Sequence, residues 1–178
     1  MEKILIVVDM QNDFIDGSLG TPEAQAIVSN VVKKIEKFRK ENDTICFTKD
    51  THHEDYLNTL EGKYLPIEHC EYGTHGWYYP KEIAYILDPY VNAISIPKDT
   101  FGFKNWPDYL GKDFNGTIEI CGLCTDICVV SNALILRALY PNVEIVCDAS
   151  CCAGTTPERH REALDVMRSC QIQVINDE

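Results

Sequence analysis

The run Lys3-Ile4-Leu5-Ile6-Val7-Val8 constrains the fold more than any other stretch of the sequence. A strand with one solvated face alternates apolar and polar residues, whereas this run is aliphatic at almost every position and reads as a strand covered on both faces. Strands buried in that way belong to mostly parallel sheets with helices packed on each side. The run stops at Asp9-Met10-Gln11-Asn12-Asp13, which sets a polar segment at the carboxyl end of the strand.

The rest of the chain repeats the alternation. From Pro22 to about Lys40 the residues Ala24, Ile27, Val28, Val31, Val32, Ile35 and Phe38 recur at three and four, predicting an amphipathic helix with Pro22 at its first position after Thr21. Residues 44–48 read as a second strand, and a long irregular stretch then runs to about Tyr79. Loops of that length in a compact domain are usually functional. A short helix near 82–87 and a third strand over 93–96, ending in Pro97-Lys98, come next. Residues 117–120 form a fourth strand, which passes through the turn Gly122-Leu123-Cys124-Thr125-Asp126-Ile127-Cys128-Val129 into an apolar helical stretch ending near Leu139. A fifth strand over 143–146, a helix capped by Thr156 and running to about Ser169, and a last strand over 171–175 complete the chain. The expectation is one domain over residues 1–178: a three-layer α/β fold with a mostly parallel six-stranded sheet and helices on both faces.

In such a sheet the carboxyl ends of the strands share one edge, and ligands bind there where the strand order reverses. Asp9, Asp50, Lys98 and Cys128 lie just past the ends of strands one to four, so four reactive side chains far apart in sequence are expected to converge. Cys128 falls in the first turn of a helix, where backbone N–H groups and the positive end of the helix dipole favour a thiolate. A cysteine nucleophile needs a way to lose its proton, donors for a developing oxyanion, and an acid for the leaving group. Asp9 could accept and return the proton, and Lys98 could hold the thiolate by its charge. Taken alone, Cys128 reads as a small buried hydrophobe and Asp9 as a loop cap.

Composition excludes several partners. The net charge of −12, with no basic cluster, would repel nucleic acid and anionic membranes, and no apolar run approaches the ~20 residues of a membrane span. Nine cysteines without a signal peptide fit a reduced, cytoplasmic setting better than a disulfide framework. Cys121, Cys124 and Cys128 loosely suggest structural zinc but lack a matching second pair. A nucleotide-binding or redox module is disfavoured, because no Gly-x-Gly-x-x-Gly follows the first strand and Cys121 precedes the turn.

Asp9-x-Gln11-Asn12-Asp13-Phe14 after strand one, Lys98 after strand three, and Gly122-x-x-Thr125-Asp126-x-Cys128-Val129 after strand four together resemble the isochorismatase-like cysteine hydrolases, in order and spacing across the whole chain. The resemblance implies a Rossmann-like sheet and an Asp9-Lys98-Cys128 triad that attacks a carboxamide. It also implies a thioester intermediate, an oxyanion hole made by the backbone N–H groups of Cys124 and Cys128, and a non-proline cis peptide at Leu123–Cys124. Phe14 and Phe101 occupy positions where the family places aromatics flanking a substrate ring, while Trp77 and Trp106 are candidates for the pocket entrance.

Asp50-x-His52 followed by His69 resembles the metal site of the nicotinamidase branch, where an Asp and two His bind a divalent ion beside the triad. Zinc is the first expectation, with iron or manganese as alternatives. For a fourth ligand Glu61 is preferred to Asn58, which stands where the family often has a third histidine. His53, His75 and His160 fit no such pattern, and His160 is expected on the polar face of the last helix. The expected activity is metal-dependent hydrolysis of nicotinamide in NAD salvage, by a homo-oligomer acting on a small amide. The alternative within the same fold is a metal-free hydrolase of another amide, carbamoyl compound or ureide.

Overall fold

The computed structural model describes residues 2–87 and 90–177. In chain order the elements are β1 (Lys3–Val8), α1 (Asn12–Ile15), α2 (Pro22–Glu41), β2 (Thr44–Asp50), α3 (Leu60–Tyr64), α4 (Lys81–Leu87), β3 (Ala93–Lys98), α5 (Pro107–Leu110), β4 (Thr117–Leu123), α6 (Val130–Leu139), β5 (Glu144–Ala153), α7 (Pro157–Ser169) and β6 (Gln173–Ile175). The six strands form one sheet in the order β3-β2-β1-β4-β5-β6, and every neighbouring pair is parallel. The order reverses between β1 and β4, which makes that crevice the topological switch point.

The sequence dictates this arrangement locally. β1 is buried from Ile4 to Val8, as a strand covered on both faces must be. α2 begins with Thr21 Oγ1 accepting from Ala24 N–H at 3.0 Å, with Pro22 in the first turn. It buries Ala24, Ile27, Val31, Ile35 and Phe38 and ends at Asn42 in the left-handed conformation. α7 repeats the design, with Thr156 Oγ1 accepting from Arg159 N–H at 3.2 Å and Pro157 following. α2 packs with α4, and α6 with α7. Right-handed crossovers outward from β1 in the two directions put these pairs on opposite faces of the sheet.

Four strands run further than the pattern of the sequence indicates, and β4 is one of them, continuing to Leu123. β2 reaches Asp50 and β3 reaches Lys98, and these two residues pair in register at the sheet edge. Pro97 is tolerated there because β3 is an edge strand. β5 continues to Ala153 through Asp148 and Ser150, polar residues that suggest a loop. The register against β4 shifts between Ile120/Cys147 and Gly122/Cys152, and Lys34 of α2 holds Asp148 and Glu119 at 2.7 Å each. The short α1, α3 and α5 lie in stretches that read as irregular, since four or five residues carry too little periodicity to register.

At the switch point β1 and β4 approach closely. Gly122 has φ +120, and a Cβ there would lie 2.1 Å from the Val8 carbonyl oxygen, so only glycine permits this pairing. The chain then turns through a cis peptide at Leu123–Cys124 and a π-helical turn over Thr125–Val129 before α6 begins. Cys128 therefore lies in a wider turn than the α-helical one expected.

Candidate active site

Asp9, Lys98 and Cys128 meet at the carboxyl edge of the sheet, contributed by the ends of β1 and β3 and by the turn after β4. Lys98 Nζ lies 2.6 Å from Asp9 Oδ2 and 3.6 Å from Cys128 Sγ. Asp9 is fully buried with φ 46; its N–H donates to Thr48 Oγ1 at 3.1 Å, and the Thr48 hydroxyl donates to Asp9 Oδ1 at 2.7 Å. Lys98 also stands 3.5 Å from Asp50 Oδ1, so one ammonium serves two buried carboxylates.

Burial and neighbouring charges shift all three groups. Burial raises the Asp9 carboxyl above its ordinary value, with Lys98 pulling the other way. Burial, followed by the nearby Asp9 charge, pushes the Cys128 thiol well above the ordinary value despite Lys98. Burial opposes the charge on Lys98, but Asp9, Cys128 and Asp50 outweigh it, and its pKa is raised. Lys98 is thus held cationic beside a thiol, with the Asp9 carboxyl on its other side.

A second cluster adjoins the first. One donor atom from each of Asp50, His52, Glu61 and His69 lies within 4.8 Å of the others. His52 Nε2 is 3.0 Å from Asp50 Oδ2 and 3.7 Å from Glu61 Oε1, and His69 Nε2 is 3.5 and 3.8 Å from the same two oxygens. His69 Nδ1 donates to the Ile67 carbonyl at 2.8 Å, so in the neutral ring the Nε2 lone pair faces the carboxylates. Two carboxylates and an imidazole lone pair aimed at one point repel one another without a cation between them. The donor set therefore fits a divalent metal with mixed nitrogen and oxygen ligation. Asn58 is exposed in a 3-10 turn outside this cluster, whereas Glu61, in the first turn of α3, faces it.

Both clusters open into one cavity of about 720 Å³. Cys124 and Cys128 line it with Asp50, Glu61 and His69, and Phe14 and Phe101 contribute apolar wall. Phe14 is buried edge-on to His69, with ring centroids 5.5 Å apart, and Phe101 is 45% exposed. Neither tryptophan lies at the mouth. Trp106 is fully buried and donates Nε1 to Asn132 Oδ1 at 3.2 Å, and Trp77 covers Lys49 Nζ at 3.4 Å while donating to Thr51 Oγ1. Leu60, Tyr64 and Arg159, all exposed, line the outer part of the cavity instead. An indole with a donor and a broad apolar face is better served inside the protein, where both are satisfied.

Several supporting residues escape sequence reasoning. The Gln11 carboxamide accepts from Asp50 N–H at 2.7 Å and donates to the Asp50 carbonyl at 2.9 Å and the Trp77 carbonyl at 3.0 Å. Asp13 Oδ2 accepts from Cys70 N–H at 2.7 Å, which fixes the backbone next to His69. Both stand in the motif Asp9-x-Gln11-Asn12-Asp13-Phe14 after β1, which does not indicate these partners. His160 does not point into solvent: it is half-buried, with Nδ1 2.8 Å from Thr125 Oγ1.

The sequence profile of the isochorismatase domain matches residues 3–178. The nicotinamidase of Schizosaccharomyces pombe is 27% identical over 207 residues, covering 97% of this chain and 92% of that protein. Among solved structures, a pyrazinamidase of Pyrococcus horikoshii in complex with zinc superposes with a TM-score of 0.81 at 28% identity, over 98% of this chain and 99% of that one. N-carbamoylsarcosine amidase from Thermoplasma acidophilum gives 0.78 at 29% identity, over 100% and 98% of the two chains.

Proposed function

The chain belongs to the isochorismatase family, and from that premise we propose that it is a metal-dependent nicotinamidase, hydrolysing nicotinamide to nicotinate and ammonia in NAD salvage. One observation carries the reading: Cys128 of the Asp9-Lys98-Cys128 cluster and Asp50, Glu61 and His69 of the donor set line the same cavity, and the two clusters are bridged behind it by the 3.5 Å contact between Lys98 and Asp50.

Asp9 takes the thiol proton as Cys128 Sγ attacks the carboxamide carbon, and Lys98 balances the negative charge that passes from carboxylate to sulfur. The oxyanion is met by the backbone N–H groups of Cys124 and Cys128. When the tetrahedral intermediate collapses, the C–N bond breaks and Asp9 returns its proton to the departing ammonia. A water molecule, losing a proton to Asp9, then attacks the thioester carbon. The C–S bond breaks, nicotinate is released, and the proton held by Asp9 restores the Cys128 thiol. Asp50, His52, Glu61 and His69 would hold the metal, with zinc as the ion proposed, and bound there it supplies a Lewis-acid contact for the pyridine nitrogen. Phe14 and Phe101 flank the ring, so the contribution of the pocket is orientation of the carboxamide over Sγ.

The likeness to N-carbamoylsarcosine amidase supports a second reading, hydrolysis of a carbamoyl compound by the same triad. The four converging donors favour the first. Ammonia release from nicotinamide, pyrazinamide and carbamoyl compounds, measured before and after chelation and metal return, tests the choice. Turnover of nicotinamide that falls on chelation and recovers with the metal is the expected result. Turnover of carbamoyl compounds alone, indifferent to chelation, overturns it.

A further inference from the structure

The turn that carries Cys124 and Cys128 is tied to α7 by side chains that have no part in the chemistry above. Thr125 is fully buried and places Oγ1 2.8 Å from Nδ1 of His160, in the first turn of α7. The next residue, Asp126, accepts from Thr155 N–H at 2.8 Å and from the Thr155 hydroxyl at 2.6 Å. Gly154 allows the approach: a Cβ there would stand 2.8 Å from His160 N and 2.9 Å from its Cα and Cβ. The end of β5 and the start of α7 thus lie close enough for the imidazole to reach the turn. Burial lowers the pKa of His160, which favours the neutral ring; in its Nε2–H tautomer Nδ1 accepts the Thr125 hydroxyl proton. Within the turn the Cys124 carbonyl accepts from Ile127 and Val129 N–H at 3.1 Å each, so the segment is cross-linked within itself, and Thr125 and Asp126 are its side-chain ties to the start of α7.

We propose that His160 is a positioning residue for amide hydrolysis: its bond to Thr125 holds the turn so that the backbone N–H groups of Cys124 and Cys128 meet the carbonyl that Cys128 Sγ attacks. The inference rests on Cys128 being the nucleophile. Backbone donors for an oxyanion are only as well placed as the turn that bears them, and a displacement of about 1 Å costs roughly a hundredfold in rate. The contacts proposed for the substrate ring, Phe14, Phe101 and the donor cluster, lie outside this turn. Loss of the anchor therefore falls on the transition state and leaves the ground state largely untouched.

The test compares metal-loaded wild type, His160→Ala, His160→Asn, Thr125→Val and the double variant Thr125→Val/His160→Ala. Kinetics with nicotinamide are read beside the affinities for nicotinate and for pyridine-3-carbaldehyde, whose carbonyl adds the Cys128 thiol to give a tetrahedral hemithioacetal. His160→Ala and Thr125→Val should each lower kcat about tenfold to a hundredfold with KM within about twofold. The double variant should be no worse than the poorer single one, because both remove the same bond. His160→Asn, whose amide oxygen can stand near the place of Nδ1, should recover most of the loss. Aldehyde affinity should fall with kcat while nicotinate affinity holds. Unchanged kcat in His160→Ala, a rise in KM alone, or additive losses in the double variant would overturn the proposal. If wild type hydrolyses none of the amides, the amidase reading falls; the aldehyde and nicotinate affinities, which need no turnover, still decide the role of His160.

Discussion

At the scale of single residues, the site buries opposite charges around one shared cation. Lys98 is the counter-charge for both Asp9 and Asp50, and all three are nearly or fully buried. Replacing Lys98 by Met leaves the fully buried Asp9 carboxylate without its cation, while Asp50 keeps His52 and His69. That variant should lose about 3 kcal/mol of stability in urea unfolding at neutral pH, and at least a hundredfold in kcat. Cys128→Ala removes only sulfur from a close-packed turn; it should abolish ammonia release while nicotinate affinity, measured by calorimetry, stays within about twofold. An inactive Lys98→Met of unchanged stability would show that the lysine acts without bearing the buried charge. Asp9, Lys98 and Cys128 were legible in the sequence because each ends or follows a strand, and a parallel sheet gathers such positions on one edge. The contacts of Gln11, Thr48, Thr125 and His160 were not, although Gln11 and Thr125 stand in the motifs. Their partners arrive from 35 or more positions away along the chain, and a polar residue in a strand or on a helix carries no sign of which distant group it will meet.

At the scale of elements, the sheet and its helices were readable from periodicity, but the pieces that fine-tune the site were not. α3 is five residues long, too short to show a period, yet it presents Glu61 to the donor cluster. Its start depends on Thr59, whose Oγ1 accepts from Gly62 N–H at 3.0 Å. Thr59→Ala should cost that cap about 1 kcal/mol and so weaken metal affinity about fivefold, with little change in Cys128 alkylation. A metal titration of the two proteins checks it. α2 depends on a different device, the Lys34 ammonium between Asp148 and Glu119, which pins the helix to the bulged β5 and to β4. Burial opposes the charge on both Lys34 and Asp148, but the bonds between them outweigh it, raising the lysine and lowering the aspartate. The folded value of Asp148 lies below its ordinary 3.8, so its contribution is present above that pH and is lost as pH falls through the folded value. Lys34 is raised above 10.5, so its contribution is whole below that pH and is lost as pH rises through the folded value. Lys34→Met should therefore destabilise the protein by about 3 kcal/mol near neutrality, with a smaller gap from wild type at acid pH than at pH 7. A gap that widens on acidification would contradict the assignment.

At the scale of the whole molecule, the donor cluster joins parts that the chain keeps apart. Asp50 comes from the end of β2, Glu61 from α3, and His52 and His69 from the segment that pairs residues 52 and 71 across an isolated bridge. Gln11 and Asp13, after β1, clamp the backbone on either side of that segment. An ion held by all four donors would bind the folded chain and not the unfolded one, so it should raise stability by mass action independently of catalysis. At about a hundredfold excess of free metal over its dissociation constant the gain is roughly 2.7 kcal/mol. Chelated protein should accordingly melt at a lower temperature than the metal-loaded form, and return of zinc should restore the difference. Cys128→Ala should show the same restoration, because the thiol is not among the four donors. His52→Ala and Glu61→Gln should lose most of it, since the first removes a donor and the second removes the charge of another. A melting temperature that ignores both chelation and added metal would remove the ion from the function while leaving the triad and its turn in place. A shift that survives both ligand substitutions would place the ion elsewhere in the molecule.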